Sequence, residues 1–187
     1  MDEFFAYLEA IAPLESDLIA HLRTILKVRN YPKDTFLVQP GYINDRFFFI
    51  VGGMVRCYWI DGKTEISKWF LGENNVIASA WSYENQLPGL EYMEAFRDCR
   101  VAYGTFKDLE ETYTKFASFN RHGRVVAQRY NRIFSSICDA LRYQDAGKRY
   151  AFLVRAFPDL LQAVPAKYLA SFMGMSEVTL SRVRSRR

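Results

Sequence analysis

The sequence predicts an α+β fold in which two short N-terminal helices precede an antiparallel β-roll, followed by a long central helix and a C-terminal helix-turn-helix. Three observations carry this reading. Apolar residues recur at helical spacing up to about residue 28, at a period of two from Asn30 to about Thr105, and at helical spacing again from Leu109 onward. Seven of the ten glycines lie between positions 41 and 104, where short strands need turns. Basic side chains collect in the last third of the chain.

The N-terminal helices are read from Phe4, Phe5, Leu8 and Ile11, then from Leu18, Ile19, Leu22, Ile25 and Leu26, with Pro13 as the break. Ser16 is placed as the N-cap of the second, because a hydroxyl there can accept a bond from an unpaired first-turn N–H. Strands are expected at residues 36–38, 47–51, 54–60, 65–71, 76–78, 91–96 and 101–103, all rich in β-branched and aromatic side chains. Asp61 and Gly62 are the strongest hairpin signal, since both tolerate the positive φ of a tight turn. Seven short strands at this spacing make a small antiparallel barrel or roll.

A long helix is expected over residues 116–143. Phe119, Val126, Ile133 and Ala140 recur every seven residues, with a second line through Tyr130, Ile137 and Gln144 and with Phe134 and Leu141 beside it. Such a helix has two apolar sides. One can pack on the roll and the other on a second copy, as a heptad seam does; alternatively both are buried within one subunit. Phe119, Val126, Tyr130, Ile133 and Ile137 are the candidate dimer residues. A further helix over 145–157 stops at Pro158, and two short helices close the chain.

Composition narrows the function. With 187 residues, 50% hydrophobic and 16% aromatic, the chain can bury a real core and is not a disordered one. No apolar run approaches the roughly 18 residues of a membrane span, and Met1-Asp2-Glu3 lacks the positive start of a signal peptide, so a cytoplasmic protein with no membrane partner is expected. Cys57, Cys99 and Cys138 match neither a disulfide framework nor a metal-ligand spacing. Two histidines, His21 and His122, cannot build a multi-histidine site. We therefore expect no metal, no cofactor and no enzymatic activity; a roll-based enzyme of cupin type would need the histidine cluster this chain lacks.

The net charge of +4 is unevenly divided. Residues 1–120 carry 12 basic and 17 acidic side chains, whereas residues 121–187 carry 13 basic and 4 acidic ones. A cationic module on a mildly acidic one points to a polyanion, with an arginine-rich solvated surface as the bland alternative. The final stretch decides between them. Leu169, Ala170 and Phe172 form an apolar face on a short helix opened by Pro165 and ended by Gly174; Ser176 then caps a second helix, with Val178, Leu180 and Val183 as its apolar residues. Glu177, Ser181, Arg182, Ser185 and Arg186 are left toward solvent. Arg182, Arg184, Arg186 and Arg187 stand where a reader of phosphates and guanines needs them, with Ser176, Thr179 and Ser181 as further contacts to double-stranded DNA.

The order of parts, and the segment Ala170 to Ser176 followed by Thr179-Leu180-Ser181-Arg182, resemble the bacterial Crp/Fnr transcription regulators over essentially the whole chain. The resemblance implies a roll of the cyclic-nucleotide-binding type, a homodimer, an inverted-repeat operator, RNA polymerase as a partner and a small-molecule effector of unknown identity. In that family the recognition helix carries a Glu three residues before a Ser-Arg pair; Ser181 and Arg182 match, while the Glu position holds Val178. A β-hairpin wing usually follows, and this sequence stops at Arg187. Nucleotide-binding members place Gly-Glu after the apolar pair and an Arg about ten residues on. Here those positions are Ala78, Ser79 and Gly89, with Glu84, Glu91 and Glu94 nearby and Arg97 in the next turn, so response to cyclic nucleotides is not expected. No cysteine precedes Cys57, which removes an N-terminal iron-sulfur cluster. Ser79, Trp81 and Gly89 mark the candidate effector pocket. Trp69, Phe70 and Tyr83 could join Trp81 in lining it, or fill the core of the roll. The expected divisions are 1–112 for the roll, 113–144 for the dimer helix and 145–187 for the DNA-binding part. The competing function is a ligand-sensing roll that acts through protein partners without specific DNA binding.

Overall fold

A computed structural model describes residues 1–185; Arg186 and Arg187 lie outside the described residues. Two helices, α1 (Asp2–Glu9) and α2 (Ser16–Ile25), lead into eight strands: β1 (Lys27–Tyr31), β2 (Phe36–Val38), β3 (Arg46–Gly52), β4 (Val55–Asp61), β5 (Thr64–Leu71), β6 (Val76–Ile77), β7 (Tyr92–Ala95) and β8 (Cys99–Thr105). A short helix α3 (Ala80–Asn85) interrupts the strands, and α4 (Phe106–Lys115), a 3-10 turn at Ala117–Phe119 and the 22-residue α5 (Asn120–Leu141) follow. The chain closes with α6 (Ala146–Ala156), α7 (Leu160–Ala163), α8 (Ala166–Phe172) and α9 (Glu177–Ser185). The fold class is the expected one.

The strands form two four-stranded sheets, ordered β1-β8-β3-β6 and β2-β7-β4-β5. β8 is central to the first, pairing antiparallel with β1 from Lys27 opposite Tyr103 to Tyr31 opposite Cys99, and with β3 from Arg46 opposite Thr105. The register with β3 shifts between Ile50 and Gly52, where Gly53 at φ +95° makes the bend. A β-carbon on Gly53 would collide with the Asp98 carbonyl, so only glycine lets the β3–β4 turn approach the chain entering β8.

Two compact units divide the chain: residues 1–57 with 70–128, and residues 58–69 with 129–187. In the first, Phe4, Phe5, Leu8, Leu18 and Leu22 of the N-terminal helices pack with Phe47, Phe49, Ala102, Tyr83 and Phe119. Phe49 meets the Phe4 ring at 5.0 Å and the Tyr7 ring at 5.3 Å. In the second, Leu153, Leu160, Val164, Leu169, Ala170, Phe172, Met173 and Leu180 are among the buried apolar residues.

Several local expectations are corrected. Glu15, not Ser16, occupies the N-cap of α2, and no side chain caps that helix; the first bond comes from Ile19 N–H to the Glu15 carbonyl. The β4–β5 turn is Gly62-Lys63, with Asp61 the last residue of β4 and Gly62 alone at positive φ. β1 straddles the expected change from helical spacing, at about Val28, to a period of two, at Asn30, and no strand is expected there. Its first four side chains are exposed, so no alternation marks it, and its pairing with β8 is what makes it a strand. α3 falls between two expected strands, in a stretch to which the sequence assigns no element. A third short helix, α7, stands before α8, and Pro165 is the cap residue of α8 and not part of its first turn.

Tyr83 carries a buried hydroxyl without a hydrogen-bond partner, beside the Phe106 ring at 5.0 Å. Burial, and then neighbouring Tyr113 and the carboxylates of Glu84, Glu110 and Asp45, hold its proton well above the ordinary tyrosine range. Burial raises Tyr113 as well. Because the folded phenol keeps its proton longer than the unfolded one, this stability is present below about pH 10 and is lost as pH rises above it. Tyr83→Phe should therefore shift alkaline unfolding upward, and at neutral pH it should leave stability unchanged or raise it by about 1 kcal/mol, because an unpaired polar group leaves the core. Denaturant titrations from pH 7 to 11 measure both; a net loss at pH 7 would show that the hydroxyl is satisfied in solution.

Candidate nucleic-acid interface

The site is built around the connection between α8 and α9. α8 ends in Gly174 at φ +60°, with the Met175 N–H bonding to the Ala170 carbonyl at 3.0 Å and the Gly174 N–H to the Ser171 carbonyl at 3.1 Å. This double closure satisfies the last carbonyls of the helix and turns the chain sharply. Ser176 then caps α9: its Oγ accepts from the Thr179 N–H at 3.1 Å, and the two hydroxyls lie 2.9 Å apart. Leu169, Ala170, Phe172 and Met173 on one side and Leu180 on the other are buried, which locks the helix pair, and the Phe172 ring meets Phe157 edge-on at 6.0 Å.

The cap, the Gly174 stop and the buried Leu180 are as the sequence predicts. Glu177, Ser181, Arg182, Arg184 and Ser185 all face solvent. Ser176 and Thr179 bond to each other, so their hydroxyls serve the cap first. The expected contact Arg186, like Arg187, lies outside the described residues. Val178 differs from expectation: placed by periodicity in the apolar face, it is 79% exposed. On a nine-residue helix Leu180 and the half-buried Thr179 and Val183 suffice to face the core, and Val178 falls about 200° from Leu180.

Ser171 was not singled out by sequence reasoning. Its Oγ accepts from the Ser67 N–H at 2.9 Å and donates to the Glu65 carbonyl at 3.0 Å, fastening α8 to strand β5 within the second unit. A serine on a short helix sends no signal of a partner a hundred residues away.

Phe119, in the 3-10 turn before α5, and Ile137 on α5 are buried within the chain, while Val126, Tyr130 and Ile133 are half-buried. Phe119 stacks on Tyr113 at 5.3 Å. The exposed line lies one residue further round the helix: Ala127, Asn131, Phe134, Cys138 and Leu141, spaced alternately four and three apart. Phe134 is 36% and Leu141 42% exposed, although the Phe134 ring also meets Trp69 edge-on at 4.4 Å. Cys138 is an exposed free thiol, whereas Cys57 and Cys99 are buried.

Of the candidate effector residues, Ser79 and Gly89 come together and Trp81 does not join them. The buried Ser79 hydroxyl donates to Glu91 Oε2 at 3.0 Å, and a β-carbon on Gly89 would lie 3.3 Å from Ser79 Oγ. Ser82 ties the same loop, accepting from the Asn44 N–H and donating to the Leu87 carbonyl. Trp81 is 58% exposed. Trp69, Phe70 and Tyr83 are buried, which places them in the core. Among the described residues no three His, Cys, Asp or Glu side chains converge as a metal site would require, and no helix is long and apolar enough to cross a membrane.

The fold is that of Crp/Fnr-type regulators. Among solved structures, a double mutant of CooA from Carboxydothermus hydrogenoformans matches with a TM-score of 0.74 at 19% identity, over 96% of this chain and 83% of that one. The c-di-GMP-responsive global regulator CLP from Xanthomonas campestris gives 0.69 at 16% identity over 92% and 91%, and FixK2 from Bradyrhizobium japonicum 0.70 at 16% over 87% and 84%. No protein-family model matches the sequence, and no curated protein does.

Proposed function

We propose that this chain is a cytoplasmic, dimeric, DNA-binding transcription regulator without catalytic activity, reading an inverted repeat in double-stranded DNA. The observation that supports this most directly is the exposed face of α9, where Ser181 and Arg182 stand free on a capped helix held by a buried Leu180. Arg182 reads guanine or phosphate; Ser181 contacts phosphate or a base edge, and Arg184 and Arg186 hold the backbone. Residues 145–187 act as the DNA-binding part, 113–144 as the dimer helix and 1–112 as a sensor-like roll, with RNA polymerase as the downstream partner.

The dimer seam runs along the exposed line of α5, flanked by half-buried Val126, Tyr130 and Ile133, because side chains already buried in their own subunit have nothing left to offer a second copy. Cyclic nucleotides do not drive the switch. The Glu91 carboxylate beside Ser79 would repel a cyclic phosphate, and neither Ser79 nor Gly89 supplies a counter-charge. The fold serves a c-di-GMP-responsive regulator in CLP and a CO-dependent transcription factor in CooA, so the effector is a property of the particular roll.

Gel-shift titration of genomic fragments at several salt concentrations tests the proposal. Affinity should fall with salt at a log-log slope near −0.9 per phosphate contact. Arg182→Ala should cost about 1–3 kcal/mol, with specificity relaxed at one position in each half-site. Affinity indifferent to both would favour a roll that acts through protein partners.

A further inference from the structure

We propose that Val178 is a specificity-determining residue that reads the 5-methyl group of thymine in the major groove. This rests on α9 being the DNA-reading helix. Val178 lies one residue into that helix and is 79% exposed, while its neighbours toward the core are buried or half-buried. The exposed face of α9 is otherwise Glu177, Ser181, Arg182, Arg184 and Ser185. Among the described residues of that face, Val178 is the one apolar side chain.

Its position and chemistry both restrict what it can recognise. Residues 178, 181 and 182 are related by three and four positions, so they form one patch on the helix surface. The first turn of a recognition helix is the part that reaches base edges. A valine side chain neither donates nor accepts a hydrogen bond, so it can select a base only by apolar contact, and thymine is the standard base with a methyl group in that groove. The same methyls would cover the cytosine amino group without bonding to it, which selects against cytosine. Because a β-branched side chain in a helix holds one χ1 rotamer, the two methyls are fixed before the encounter. Val178 and Arg182 are about 6 Å apart along the helix axis, so the thymine should fall within about two base pairs of the base that Arg182 reads.

The test uses the full chain and a site selected from a random duplex pool. Each thymine of that site is replaced in turn by deoxyuridine, which lacks only the methyl, and binding is measured for wild type, Val178→Ala and Arg182→Ala. In wild type, one thymine per half-site, next to the Arg182-dependent position, should cost roughly three- to fivefold on replacement, the scale of burying one methyl. Val178→Ala should lose about as much on the unmodified site and become indifferent to that replacement, with an unchanged melting curve because the side chain is exposed. If wild type selects a site but no thymine is sensitive to its methyl, or if Val178→Ala keeps the sensitivity, Val178 does not read thymine although α9 still reads DNA. If no sequence is enriched and binding is indifferent to Arg182→Ala, the DNA-reading role of α9 falls, and this proposal with it.

Discussion

Cys138→Asp should convert the protein into a monomer whose affinity for DNA is lower by about 100-fold or more. The exposed line Ala127, Asn131, Phe134, Cys138 and Leu141 repeats with the four-three spacing of a coiled-coil seam, and Cys138, between Phe134 and Leu141, carries an exposed free thiol. Across a two-fold axis the two aspartates would face each other, adding like-charge repulsion to the cost of removing each carboxylate from water. An inverted repeat places half-sites about 34 Å apart, one turn of DNA, and only a dimer holds a second recognition helix at high effective concentration over the second half-site. Since Cys138 is exposed, the variant subunit should keep the wild-type circular-dichroism spectrum, and Cys138→Ser should remain dimeric. Sedimentation velocity at micromolar concentration and a gel shift on an inverted repeat check both parts. A Cys138→Asp dimer, or a wild-type monomer, would put the seam elsewhere.

Glu94→Ala should cost about 1.5–3 kcal/mol of stability, enough to lower Tm by roughly 5 °C. Arg56 lies on β4 with its side chain only 2% exposed, and its Nη1 is 3.8 Å from Glu94 Oε2 on β7, itself 18% exposed. Met93 and Ala95 on either side of Glu94 are buried, so β7 presents the carboxylate on the face opposite to them. Deleting the carboxylate removes a counter-charge from a guanidinium that is already out of water, so the loss is larger than for an exposed pair. Glu94→Gln keeps an acceptor and should cost less, while replacing both residues by apolar ones of similar volume should recover much of the loss. Urea unfolding of the four proteins measures this; a Glu94→Ala cost below about 1 kcal/mol would mean that water reaches the guanidinium.

The division between what the residues announce and what packing decides is clearest in α5. Apolar side chains at 119, 126, 133 and 140 and at 127, 134 and 141 differ by one position, about 100° around a helix, and periodicity alone cannot say which line faces its own subunit. Burial of Phe119 and Ala140, against exposure of Ala127, Phe134 and Leu141, settles it. In α9 the cap at Ser176 and the stop at Gly174 are local hydrogen-bond and φ requirements, and they are legible residue by residue; the outward placement of Val178 is not, because it depends on how short the core-facing stripe is. The anchoring of Ser171 to Ser67 and Glu65, the pairing of Ser79 with Glu91 and the existence of β1 likewise join positions far apart or devoid of pattern.

By itself, then, the sequence determined the α+β class, the positions of seven strands, the central helix and the helix-turn-helix, because each rests on periodicity, turn chemistry or capping within a few residues. It also determined the basic C-terminal third, since charge is a property of composition. Tertiary structure decided which apolar line of α5 stays exposed, where the β4–β5 turn begins, that the Ser79 loop closes on Glu91, and that a valine stands beside Ser181 and Arg182. Those choices are made by contacts between distant segments, whose energies no local pattern records.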